Sequence, residues 1–230
     1  MSLVRNIVLV HGAWADASHW RHVIPTLHSK GFNLAAVQNP LTSLADDIDR
    51  TSRLVAAQNG PTLLVGHSYG GAVITGVGHQ RNVAGLVFVA AFAPDEGESL
   101  STILARREQP PGAAAIMPDN YGFLWLAQES YREHFGRDLG EAEALVMAVG
   151  QKPISIRCFD DKSGPPAWRT KPSWYQVSTK DHMIPPETER WMAERMKARK
   201  ILTLEASHAS LGSHAKEVAA LIEEAARGTG

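Results

Sequence analysis

Short runs of Val, Ile and Leu with little polar alternation recur along this chain, at Val4–Val10, Thr62–Val65 and Val83–Phe92. A strand that is apolar on both faces cannot leave either face in water. It belongs in the middle of a sheet covered on both sides, which is the habit of parallel sheets. Weaker strand-like runs lie at Phe32–Val37, Trp174–Ser178 and Ile201–Leu204. Between them the apolar period lengthens to that of a helix, at Asp16–Lys30, Leu44–Asn59, Pro186–Arg199 and Ser213–Ala226. About six strands in α/β alternation result, with helices on both faces of the sheet.

The alternation breaks between Pro94 and Pro172. Pro110-Pro111, Gly112, Pro118 and Pro165-Pro166 punctuate that span, and helix-like pieces are expected at Tyr121–Phe135 and Leu139–Val149. We read residues 94–172 as a helical cap inserted after the fourth strand, and residues 1–93 and 173–230 as the core. At 230 residues the chain suits one domain with an insertion.

Charge and cysteine content exclude several classes of function. Lys plus Arg is 23 and Asp plus Glu is 24, so nothing marks a nucleic-acid or anionic membrane partner. Cys158 is the only cysteine, which excludes intrachain disulfides and cysteine-based metal sites. The first residues lack a signal-peptide pattern and no run is long enough to span a bilayer, so a cytoplasmic protein is expected. The oligomeric state stays open, a homodimer included.

The chemistry concentrates at Gly66-His67-Ser68-Tyr69-Gly70, which follows an apolar strand and opens the small-residue stretch Ala72–Val77. A G-x-S-x-G pattern in that setting makes a sharp strand-to-helix turn, with serine at its apex and a helix N-terminus beside it. A serine hydroxyl needs a base, and the base needs an orienting carboxylate. In chain order Ser, acid, His, we expect Ser68, Asp181 and His208. Asp181 and His208 each follow a strand end, where parallel sheets bind ligands. Asp160, Asp161 and Glu205 are rival acids, and His214 is a rival base. The expected oxyanion donors are the backbone N–H groups of Ala13, after the first strand, and Tyr69, after the nucleophile. Phe92, Phe123 and Trp125 are expected pocket walls. This chemistry requires no metal and no cofactor.

Together these segments resemble the α/β-hydrolase superfamily, and more narrowly the small bacterial esterases related to plant methylesterases and hydroxynitrile lyases. The resemblance rests on VLVHGAW (Val8–Trp14), VGHSYGG (Val65–Gly71), VFVAAFAPDEGES (Val87–Ser99), STKDHMIP (Ser178–Pro185) and EASHAS (Glu205–Ser210). It implies a three-layer fold, the same Ser68–Asp181–His208 triad and a small-molecule ester as substrate. The lyases of that branch carry a threonine, a glutamate and a lysine where this chain has Gly12, His67 and Ala209, so the resemblance implies an esterase. A lyase, a cofactor-free perhydrolase and a binding protein with a vestigial triad are the alternatives.

Overall fold

The computed structural model describes residues 4–229. Residues 1–3 and 230, which the expected core bounds take in, lie outside the described residues. The first half of the chain runs β1 (Asn6–Val10), α1 (Val23–Ser29), β2 (Asn33–Ala36), α2 (Leu44–Ala56), β3 (Thr62–His67), α3 (Gly70–Val77) and β4 (Val83–Val89). Next come α4 (Leu100–Leu104), β5 (Ile116–Pro118), β6 (Phe123–Leu126), α5 (Gln128–His134), α6 (Glu141–Val149), β7 (Ile154–Ser155) and α7 (Arg157–Asp160). The chain closes with β8 (Ser173–Ser178), α8 (Pro186–Arg195), β9 (Lys200–Leu204), α9 (Ser210–Ser213) and α10 (Ala215–Gly228). Among the described residues, no helix is long and apolar enough to cross a membrane.

Six strands form one parallel sheet in the order β2-β1-β3-β4-β8-β9. The period-two geometry of a strand divides its residues between two cores. Val8, Val10, Leu64, Leu86 and Phe88 pack on one side with α3 and the segment that follows β4. Ile7, Leu9, Leu63, Val65, Val87 and Val89 pack on the other side with Trp20, Leu221 and Ile222. The chain leaves β1 for β2 on one side and returns to β3 on the other. The loops after β1 and β3 therefore open a crevice at the carboxyl ends of adjacent strands.

Several boundaries differ from the sequence expectation, each for a local reason. The helix expected over Asp16–Lys30 is a short 3₁₀ turn at Ala17–Trp20 followed by α1. Pro25 has no N–H to donate, so it fits the first turn of a helix and not its middle. β4 ends at Val89 because Ala90 takes φ +41°, and Phe92 N–H turns back to Ser68 O at 3.0 Å. The cap region is not purely helical. Phe123–Leu126, expected inside a helix, is the central strand of a small antiparallel sheet, and α5 begins only at Gln128.

The α3–β4 contact allows no side chain between them. A Cβ at Gly71 would lie 2.2 Å from Phe92 O. Gly71→Ala is expected to destabilise the fold by about 1–3 kcal/mol through overpacking. Urea unfolding checks this, and unchanged stability would show that the contact can open freely.

Candidate active site

The turn after β3 is built from close backbone approaches. Ser68 sits at its apex with φ +54°, a strained region for a residue with a side chain. A Cβ at Gly66 would meet Gly70 O at 2.6 Å, and one at Gly70 would meet Val10 O at 2.4 Å. Only glycine fits either place, which is why the sequence pattern marks the turn.

The turn presents Ser68 Oγ to His208 Nε2 at 2.8 Å, and His208 Nδ1 lies 2.5 Å from Asp181 Oδ2. The three residues come from three separate strand ends, and none is more than 5% exposed. Asp181 Oδ1 accepts the Met183 and Ile184 amides at 2.6 and 2.9 Å. Burial pushes the Asp181 carboxyl up. The charge of His208 and hydrogen bonds, among them those from His208 and the Ile184 amide, outweigh burial and hold it below the ordinary carboxylate value. It is thus an anion oriented to fix the imidazole tautomer with the proton on Nδ1 and a free lone pair toward Ser68. None of the rival acids pairs with His208, although Asp160 lines the same cavity as Ser68. Glu205 pairs with Lys180 on the surface, Asp161 accepts the Leu44 amide at 3.0 Å, and Asp160 accepts Ser101 Oγ at 2.6 Å. His214 begins α10 and contacts Ser213.

Ala13 and Tyr69 both line the cavity beside Ser68. Neither backbone N–H finds an acceptor among the described residues, so both remain available to a ligand oxygen. Their surroundings hold them still. His11 Nε2 accepts the Asn39 amide at 3.0 Å and its Nδ1 donates to Gly12 O at 2.8 Å, which pins the loop carrying Ala13. Tyr69 donates its hydroxyl to Asp47 Oδ2 at 2.5 Å, and burial pushes the Asp47 carboxyl up. A Cβ at Gly12 would lie 2.6 Å from Ser68 Cβ, so the loop can approach the nucleophile only with glycine there.

The cavity measures about 200 Å³. Its walls are mostly apolar and include Trp14, Phe92, Leu104, Ile116, Leu124, Phe159, Met183 and Ile184. Phe92 is where the sequence puts it; Phe123 and Trp125 are not. Alternation along β6 turns Leu124 toward the cavity and its two neighbours away, and Trp125 Nε1 instead donates to Asp119 Oδ2 at 3.1 Å. Reading that segment as a helix hides the alternation.

Three supporting groups escape sequence reasoning. Asp138 accepts the Ser207 amide at 2.9 Å and the hydroxyls of Ser207 and Ser213, while Phe135 O accepts the Ala209 amide at 3.0 Å. Both neighbours of His208 are therefore tied to the segment between β4 and β8. On its other side, His67 Nε2 donates to His208 O at 2.8 Å, with the two rings 4.8 Å apart. His19 packs edge-on against His67 at 4.9 Å. Nothing in the local sequence of Asp138 or His19 distinguishes them from ordinary surface or turn residues, and the motif around Ser68 marks the place of His67 but not its bond to His208.

The model of the alpha/beta hydrolase family matches residues 7–221, and the chain belongs to that family. It is 32% identical over 126 residues to a carbendazim hydrolyzing esterase of Nocardioides sp., a match covering 49% of this chain and 52% of that one. It is 24% identical over 239 residues to methylesterase 8 of Arabidopsis thaliana, covering 87% and 81%. The crystal structure of a pyrethroid hydrolase superposes with a TM-score of 0.83 over 96% of this chain and 97% of that one, at 23% identity, which shows the shared fold.

Burial drives His11 from the ordinary 6.5 down to about 4. It drives His67 down to about 3 and His19 well below 6.5. Between about pH 4 and 6.5 all three are neutral when folded and take up a proton on unfolding. Stability should therefore be full above pH 6.5 and fall as pH drops from there through about 4, by about 1.4 kcal/mol per pH unit for each group. Urea midpoints measured at pH 7, 6 and 5 test the slope; a flat profile would contradict it. Asp138→Ala should lower kcat by roughly tenfold with little change in KM, the scale of one charge-assisted hydrogen bond. Steady-state kinetics on the folded variant check this.

Proposed function

We propose that this chain is a serine carboxylesterase acting on small, short-chain or aromatic esters. His208 takes the proton of Ser68 Oγ as the oxygen attacks the ester carbonyl. The Ala13 and Tyr69 amides receive the tetrahedral oxyanion, and His208 then protonates the leaving alcohol. Water, activated by the same base, hydrolyses the acyl-enzyme. Asp181 orients the imidazole and stabilises its cation. Residues 94–172 serve as the cap over the site, and residues 1–93 and 173–230 as the core that carries it. The cytoplasm suits the free thiol of Cys158.

One observation carries the reading. An aligned Ser68–His208–Asp181 array opens into a small apolar cavity beside two amide donors without partners among the described residues. The esterases among the relatives support the reaction class. The substrate class follows from the walls. Among the described residues no lysine or arginine lines the cavity, so it offers no cation to a free carboxylate substrate or to a leaving cyanide. That favours neutral esters over both carboxylates and cyanohydrins.

Ser68→Ala should lower turnover of an aryl acetate by more than roughly a thousandfold without loss of fold. A serine-reactive phosphonate should add its mass at Ser68, read by peptide mass spectrometry. Turnover retained in the variant, or labelling at another residue, would overturn the assignment.

A further inference from the structure

Behind the triad lies an acidic side chain that the mechanism above leaves unused. Glu189 sits on the first turns of α8 and is fully buried. Its Oε2 accepts the Ser178 amide at 2.9 Å. Its Oε1 is buried and receives no N–H or hydroxyl donor among the described residues. No lysine, arginine or histidine nitrogen of the described residues lies within ion-pair distance of it. Arg190, the next residue, is exposed and turns outward to Thr203 Oγ1 at 3.1 Å. Ser178, whose amide holds Oε2, also accepts the Asp181 amide at 3.4 Å, so α8 and the Asp181 turn meet at one residue. The other groups acting on Glu189 are the Asp181 carboxylate, as its hydrogen-bonding neighbour, and Tyr175 from β8.

Two adjacent buried carboxylates disfavour a second negative charge, and the one with more donors keeps the charge. His208 and the Met183 and Ile184 amides all serve Asp181, and Glu189 has one amide. The proton therefore resides on Glu189. Burial, and next the Asp181 charge, push the Glu189 carboxyl well above its ordinary value. With Oε2 engaged as an acceptor, the proton belongs on Oε1.

We propose that Glu189 is a neutral carboxylic acid that donates a hydrogen bond from Oε1 to the Asp181 carboxylate and so positions the acid of the triad. The inference rests on the esterase reading of the Ser68 site and adds a positioning residue to it. It makes the triad a chain of four groups in which the last is a donor without charge. A neutral donor holds the Asp181 carboxylate in place without adding a second negative charge beneath His208. Glu189 touches neither substrate nor Ser68, so its effect on rate passes through the orientation of Asp181.

Glu189→Gln keeps both functions, since the amide oxygen can accept from Ser178 and the amide nitrogen can donate to Asp181. It should retain kcat within about twofold, because no hydrogen bond is lost. The acid limb of its kcat/KM profile should coincide with that of the wild type. Glu189→Leu fills the space without donating and should lower kcat by roughly tenfold or more at unchanged KM, the scale of a lost hydrogen bond to a charged group. Infrared difference spectra of wild type against Glu189→Gln at neutral pH should contain the carbonyl band of a protonated carboxylic acid. That band needs no turnover, so it reports on Glu189 even if the Glu189→Leu protein fails to fold or the Ser68 test fails. Absence of the band, or an acid limb moved to lower pH in Glu189→Gln, would mean that Glu189 is ionised and would overturn the proposal. A Glu189→Leu protein with wild-type kcat would overturn the positioning role.

Discussion

The backbone reversal at Ser68 is the constraint around which the rest of the molecule is arranged. A strand must end, double back and start a helix within a few residues, with φ +54° at its apex. Gly66 and Gly70 let the turn close on itself and on β1, and Gly71 lets α3 lie against the end of β4. Gly12 then admits the loop after β1 to van der Waals distance of the serine. Each contact is backbone against backbone or against a Cβ. An added methyl group at any of them would have nowhere to go without moving an element. The same reversal leaves the Tyr69 amide unspent at a helix N-terminus, where an oxyanion is favoured.

Around that turn the protein has surrounded a reactive constellation with polar groups held neutral. His11, His19 and His67 are buried and uncharged, and each is placed by packing or by a backbone hydrogen bond. Asp47 binds the Tyr69 hydroxyl beneath the site. With these histidines kept neutral, none of them competes with His208 for the Asp181 anion in a medium of low dielectric. The arrangement has a consequence for stability. Neutral buried histidines make the fold sensitive to mild acid, in the same range where the imidazole of a triad would lose its function as a base.

The His208 loop belongs as much to the inserted segment as to the core. Ser207 and Ala209 bond to Asp138 and Phe135, and Phe135 packs its ring edge-on against His208 at 4.9 Å. Trp14, in the loop that carries Ala13, donates to Leu124 O and accepts from Tyr131 on the same insertion. The loops that carry Ala13 and His208 are thus both braced by the segment between β4 and β8, from which Leu124 also lines the cavity.

The apolar strand runs, the glycine pattern around Ser68, and Asp181 and His208 at strand ends are legible in the sequence because each is a local requirement. A central parallel strand must be apolar on both faces, and a tight turn must be made of residues without a Cβ. Phe123 and Trp125 are misplaced by sequence reasoning because a four-residue strand in a small sheet leaves too little alternation to recognise, and one residue of phase decides which side chain faces the cavity. Asp138 and Glu189 carry no local signature at all, and the motif that contains His67 says nothing of its bond to His208. Their significance comes from distances between atoms far apart in the chain, such as the 140 residues between Ser68 and His208, and only the packed sheet brings those atoms within bonding reach. The sequence by itself determined the sheet and the turn. The tertiary structure alone decided which polar groups surround the turn, and therefore which of them are neutral and which is the anion.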